Sequence, residues 1–295
     1  MKQQLLNSLL LATLITLTGC AADDGDSGHL RALLVVSNHG ELGDTGAATG
    51  VWMAELTHPY WALVDSGLDV EIDIASPDGG DAPIDSFSAY FNFDDFLREG
   101  IPDSGDPGNN RFFESAETRG MVASEPETVT WPDGTTSEVM SHRFTATLKL
   151  AELDYRDYDV IYFAGGNGAM WQFPANDDVH DIIRDMYESD RIVSAACHGT
   201  ATLLNATLSD GSYLAAGKQV TGFSTAEEVY LQQEDVMPFM IQEVFGQRGA
   251  SYVEADPWVP NVVVDGNLIT GQNPPSAEGV GEAIVEALRG RTGLN

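Results

Sequence analysis

Apolar positions recur along this chain with two different periods, and the switching between them sets its architecture. The run Leu30 to Ser37 is almost continuously apolar, as a strand buried on both faces requires. A loop rich in glycine and aspartate follows (Asn38 to Thr49), and Val51 to Asp65 then spaces its apolar side chains at helical intervals. Val70, Ile72 and Ile74 alternate within Leu68 to Ala75 as a second strand does, and Pro77 to Pro83 reads as a loop. Farther along, Asp159 to Ala164 is a strand, Asp177 to Glu188 a helix, Arg191 to Ala196 an apolar strand, and a helix starts near His198. Lys218 to Gly222 reads as a strand, Thr225 to Gln232 and Val236 to Phe245 as helical stretches, Val262 to Thr270 as a hairpin turning at Asp265-Gly266, and Ser276 to Leu288 as a closing helix. Strands alternating with helices predict an α/β fold, a mostly parallel sheet covered by helices on both faces.

The stretch 85–153 breaks this rhythm. Ala89 to Arg98 is helix-like, a Pro/Gly/Asp/Asn loop runs to Asn110, and Thr128 to Trp131 and Thr136 to Phe144 flank the turn Pro132-Asp133-Gly134-Thr135 as a hairpin. This region reads as an insertion of loop and hairpin beside the main sheet, within one domain over 30–290.

The N-terminus has a different composition. Lys2 precedes a short apolar run from Leu5 to Leu17, which ends in Leu17-Thr18-Gly19-Cys20. The run has the length of a signal-peptide core, and the four residues resemble the bacterial lipobox. Residues 1–19 are thus expected to be a lipoprotein signal peptide, with Cys20 as the lipidation site and residues 20–29 as a flexible acidic tether. The protein would sit in the cell envelope, held to the membrane by that lipid alone.

Charge narrows the partners. The chain carries 46 acidic and 14 basic side chains, a formal net charge of -32, and its lysines are Lys2, Lys149 and Lys218. Such a surface repels nucleic acid and anionic lipid, which excludes DNA and RNA as partners. It suits a very soluble extracytoplasmic protein or a salt-adapted one. The second of the two cysteines, Cys197, is left without a disulfide partner once Cys20 is lipidated.

Cys197 is the first candidate for chemistry. The strand Ile192-Val193-Ser194-Ala195-Ala196 runs straight into it, and Gly199, Ala195 and Ala196 are small enough for a sharp strand-to-turn reversal, the mechanics of a nucleophile elbow. A thiol at a helix start is expected to have its pKa lowered by the unsatisfied N–H groups there, with His198 as an adjacent base. The plain alternatives are a buried inert thiol at a core strand's end and a histidine bonded to backbone.

The segment Ala195-Ala196-Cys197-His198-Gly199 resembles the signature of the ThiJ/PfpI superfamily, within the class I glutamine amidotransferase-like fold. Three further segments resemble its chaperone/glyoxalase III branch: Thr49 to Tyr60, with an acidic residue ahead of His58-Pro59-Tyr60; Phe163 to Trp171, a glycine-rich loop; and Val220 to Ser224 leading to Glu227-Glu228, with Gly271 to Ala277 near the end. The resemblance implies a flavodoxin-like sheet sandwiched by helices. It implies Cys197 as nucleophile, His198 as the neighbouring histidine, Glu55 as the acid touching the thiol, and Glu228, with Glu227 as the alternative, as the carboxylate pairing with the histidine. It implies Gly165 and Gly166 as the loop whose N–H groups face a developing oxyanion, with Asn167 beside them where relatives usually carry histidine. Thr200 stands where they usually carry proline.

The activity this implies is cofactor-free conversion of a 2-oxoaldehyde such as methylglyoxal to a 2-hydroxy acid, with a small aldehyde as substrate. The alternatives are a cysteine hydrolase (amidase, peptidase or protein deglycase), placed lower because adjacent cysteine and histidine form an awkward triad, and a holdase chaperone or redox-responsive protein. His39, His142 and His180 lack ligand-like spacing, so no metal site is expected. Members of the superfamily often dimerise, and no segment of this sequence marks an interface. Trp131, Trp171 and Trp258 are read as core packing before pocket lining.

Overall fold

A strand that is apolar on both faces belongs in the middle of a sheet, and β1 (His29–Val35) is there. In the computed structural model, which describes residues 29–90, 105–130 and 134–292, the remaining strands in chain order are β2 (Asp69–Ser76), β3 (Gly80–Pro83), β4 (Val122–Thr130), β5 (Thr136–Lys149), β6 (Val160–Phe163), β7 (Ile192–Ala196), β8 (Gln219–Val220), β9 (Ser251–Tyr252), β10 (Val262–Asp265) and β11 (Leu268–Gly271). The helices are α1 (Met53–Val64), α2 (Ser86–Tyr90), α3 (Pro107–Glu114), α4 (Ala169–Gln172), α5 (Asp177–Glu188), α6 (Thr225–Leu231), α7 (Ile241–Gln247) and α8 (Ala277–Thr292). The main sheet runs β10-β11-β7-β6-β1-β2-β5-β3, with β4 hairpinned to β5. Its centre, β11-β7-β6-β1-β2, is parallel throughout.

Side-chain alternation along these strands divides the core into two layers. On one face Leu33, Val35, Ile161, Phe163 and Val193 pack against Val179, Ile182, Ile183 and Met186 of α5. On the other, Ala32, Leu34, Val160, Tyr162 and Ile192 pack against Leu56 and Leu63 of α1 and Val280, Ile284 and Leu288 of α8. The loops that leave the carboxyl ends of β6 and β7 emerge side by side, since Phe163 is paired with Ala195. In open parallel sheets that edge is where ligands bind.

The structure departs from the sequence expectations in four places. The 85–153 stretch extends the sheet: β5 pairs in parallel with β2 at Ala75–Leu148 and Ser76–Lys149, antiparallel with β4, and with the short β3 that was read as loop. The strand expected at Lys218 to Gly222 shrinks to β8 and pairs only with β9, in a separate two-stranded ribbon. The helix expected over Val236 to Phe245 begins later, at Ile241. The turn after β7 is a 3₁₀ segment, Cys197–Leu203, in place of the expected α-helix. Cys20, Trp131 and most of the helix expected over Ala89 to Arg98 lie outside the described residues.

Candidate active site

Cys197 follows the last residue of β7 with a φ of +53°, the left-handed region that residues with a Cβ avoid at a cost of about 1–2 kcal/mol. Its carbonyl is clamped from two sides, by the hydroxyl of Thr200 at 2.7 Å and the N–H of Phe223 at 3.4 Å. Thr200 therefore supports the elbow with its side chain. The sulfur is buried, and all seven residues of the 3₁₀ segment are buried with it.

Two arms meet at the thiol. In the first, Sγ lies 3.4 Å from His198 Nδ1, and His198 Nε2 lies 2.8 Å from Glu228 Oε1, with both side chains of that pair buried. A hydrogen donated from Nε2 to Glu228 leaves the Nδ1 lone pair facing the sulfur. The structure thus lines up Cys197, His198 and Glu228 despite the adjacency of the first two. It assigns the histidine's partner to Glu228. Glu227 bonds elsewhere, its Oε2 accepting from the N–H and hydroxyl of Ser224 in a capping box.

In the second arm, Glu55 projects from the first turn of α1 into the sheet's carboxyl edge, fully buried. Its Oε2 accepts the Gly165 N–H at 2.9 Å, while Oε1 meets no nitrogen or oxygen donor. Burial pushes the Glu55 carboxyl up to about 7; a hydrogen bond with Cys197 and the N–H of Gly165 oppose the rise without cancelling it. The thiol is pushed well above its ordinary value by burial and then by the charge of Glu55. This reverses the lowered pKa expected from a helix start. The 3₁₀ turn is wholly buried, and the N–H of His198 bonded to the sulfur does not offset desolvation beside a carboxylate. At neutral pH the pair holds at most one negative charge, which falls on the carboxyl while the hydrogen stays on the thiol.

Close approach of three backbones makes this arrangement. A Cβ on Gly165 would lie 2.4 Å from Glu55 Oε2 and 2.8 Å from the Ala196 carbonyl, and Gly166, at φ +100°, would put one 2.3 Å from the Gly50 carbonyl. The two glycines therefore serve different ends. The Gly165 N–H, expected to face an oxyanion, is taken by Glu55; the Gly166 N–H has no partner among the described residues. Asn167 is half-buried, and its carbonyl accepts from Met170 N–H at the start of α4. His58 lies within α1, its Nε2 3.0 Å from the Asp106 carboxylate. Trp171 stacks on His39, and Trp258 lies in the aromatic packing against Phe223.

Two contributors were missed in the sequence. Tyr162, on β6, donates its hydroxyl to the Glu55 carbonyl at 2.6 Å. Phe223 packs its ring 4.3 Å from that of His198. Pro59, four residues after Glu55, was the available signal for the first, because a proline leaves the carbonyl one turn back without its helical donor. An open groove of about 1160 Å³ lies between α1, α3 and α8, and none of Cys197, His198, Glu55 and Glu228 lines it.

A sequence profile described as the DJ-1/PfpI family matches residues 111–287. Glyoxalase 3 of Candida albicans is 28% identical over 268 residues, spanning 88% of this chain and 98% of that protein. Glutathione-independent glyoxalase HSP31 of Saccharomyces cerevisiae is 26% identical over 267 residues, spanning 88% and 98%. Among solved structures, Rapid Encystment Protein 24 KDa of Francisella tularensis superposes with a TM-score of 0.72 at 31% identity, covering 88% of this chain and 99% of that one.

Proposed function

Because the chain belongs to the DJ-1/PfpI family, we propose that its Cys197 site runs a glutathione-independent glyoxalase reaction, turning a 2-oxoaldehyde such as methylglyoxal into the 2-hydroxy acid. The observation that carries this reading is the Glu55 carboxyl, fully buried and hydrogen-bonded to the equally buried Cys197 thiol, where a proton can pass between them. The names of the relatives that align along nearly their whole length agree with it.

The residues account for each step. Glu55 as carboxylate takes the thiol proton while sulfur adds to the aldehyde carbon, then passes that proton to the new oxygen, giving a neutral hemithioacetal and a restored carboxylate. A base removes the proton on that carbon, and the resulting enediol is reprotonated on the neighbouring carbon. Glu55 suits this role, since a group titrating at about 7 both accepts and returns a proton. The product is a 2-hydroxy thioester of Cys197. Water activated by His198, held by Glu228, cleaves it and restores the thiol. The Gly166 N–H is the available donor for the developing oxyanion.

Lactate formation from methylglyoxal without glutathione, compared with Cys197→Ala, tests this at low and high salt. Turnover lost in the variant supports the reading, and no turnover by folded wild-type protein overturns it. A second reading, thiol-dependent hydrolysis, draws on the line Cys197–His198–Glu228. It predicts ester or amide cleavage that tolerates Glu55→Gln, whereas the glyoxalase reaction does not.

The lipobox-like Leu17 to Cys20 supports a lipid anchor at Cys20 and a place in the cell envelope. Labelled palmitate entering the wild-type chain and not Cys20→Ala is the expected result; no incorporation into either would sink the anchor.

A further inference from the structure

Glu227 is fully buried and saturated. Its Oε2 accepts from the Ser224 N–H at 3.0 Å, the Ser224 hydroxyl at 2.8 Å and Gln272 Nε2 at 3.2 Å. Its Oε1 accepts from the Trp258 N–H at 3.0 Å and Asn273 Nδ2 at 2.7 Å. A carboxylate removed from water requires such compensation, and these short contacts tie three separate stretches of chain to one side chain.

Two consequences converge on His198. The first runs through the backbone. Fixing Glu227 at the first turn of α6 fixes the next residue, Glu228, whose Oε1 accepts from His198 Nε2. The second runs through rings. Trp258 has a φ of +65°, a left-handed conformation that a bulky residue holds only when anchored, and its N–H is anchored by Glu227 Oε1. The Trp258 ring lies 5.8 Å from Phe223, whose ring lies 4.3 Å from His198. We propose that Glu227 is a positioning residue for His198, holding the imidazole at its edge through Glu228 and on its face through the Trp258–Phe223 ring contact. The inference rests on His198 being the acid–base group of the proposed reaction, and the test separates the two.

The experiment follows the imidazole resonances of His198 in 15N-histidine-labelled full-length protein, together with kcat and KM for methylglyoxal, in Glu227→Ala, Glu227→Gln and Asn273→Ala. In Glu227→Ala the Nε2–H signal held by Glu228 is expected to broaden or vanish. Misplacement of about 1 Å should lower kcat about 100-fold, with KM falling alongside it as the thioester accumulates. Glu227→Gln keeps one acceptor oxygen and should recover part of both readouts. If Glu227→Ala does not fold, Asn273→Ala decides, since it takes from Glu227 one of five donors, together with the Asn273 bonds to Val259 and Ser276; a broadened signal and a kcat loss of about threefold are then expected. An unchanged His198 signal with unchanged kcat in the folded variant overturns the proposal, as does a rise in KM alone. If the wild-type protein makes no lactate, the glyoxalase reading fails, and the His198 signal still decides the positioning.

Discussion

The hydroxyl of Tyr162 donates to the backbone carbonyl of Glu55 at 2.6 Å, where α1 has no donor of its own because Pro59 stands four residues on. Helix and sheet are joined at the residue that faces the thiol. The proline that weakens the helix thereby lets a side chain from β6 set its first turn.

Removing that hydroxyl tests the join. Tyr162→Phe keeps the ring and orphans a buried carbonyl, so unfolding should become easier by about 1–3 kcal/mol. Lactate formation should fall through kcat more than KM, because the turn carrying Glu55 is released. Denaturant titration and steady-state kinetics on the one variant check both; unchanged turnover in a destabilised protein would make the bond purely structural.

The raised carboxyl of Glu55 makes stability depend on pH in a stated direction. Between its ordinary 4.5 and about 7, the folded chain keeps a proton that the unfolded chain has released. The contribution is therefore present below 4.5 and is lost as pH rises through 7, a difference of about 3 kcal/mol. Glu55→Gln abolishes the loss. Relative to wild type, it should gain stability between pH 4 and pH 8 by about that amount while losing glyoxalase activity. A stability difference that is flat across this range would show that Glu55 is not held protonated by burial.

Dividing the chemistry between the two arms predicts a trapped intermediate. With His198→Ala or Glu228→Gln, addition and proton transfer at Glu55 continue while hydrolysis of the thioester slows. Mass spectrometry should then find Cys197 carrying one methylglyoxal equivalent, and rapid mixing should show a burst. No adduct in an inactive variant would place His198 in the earlier steps.

Gly165→Ala should disable the site by crowding it. The added methyl would sit 2.4 Å from Glu55 Oε2 and 2.9 Å from the Gly199 nitrogen, so neither the carboxyl nor the elbow could keep its place. Overpacking of this kind costs about 1–3 kcal/mol, and turnover should be lost even where the variant remains folded. Full activity in Gly165→Ala would mean that the loop has room which the structure denies.

Much of this protein follows from local pattern. The apolar strands at Leu30 and Ile192, the helix Asp177–Glu188 and the Asp-Gly hairpin near the end are readable because each states its period and its stop signals within a few residues. The same holds for the candidate nucleophile: small residues around Cys197 after an apolar strand describe an elbow without reference to anything distant. The choice between Glu227 and Glu228 was also local, since Ser224 three residues before Glu227 is the pattern of a capping box, which commits Glu227 to its own helix terminus.

Tertiary structure decided the rest. No period in the sequence says that β5 joins β2, that Pro59 is answered by Tyr162, or that the Gly165 N–H turns to Glu55. Above all, the thiol's proton affinity was set by its surroundings. Sequence places Cys197 at the start of a turn, where backbone dipoles favour a thiolate; only the packed fold buries it beside a carboxyl, and burial of two acids together outweighs a dipole that falls off within one turn.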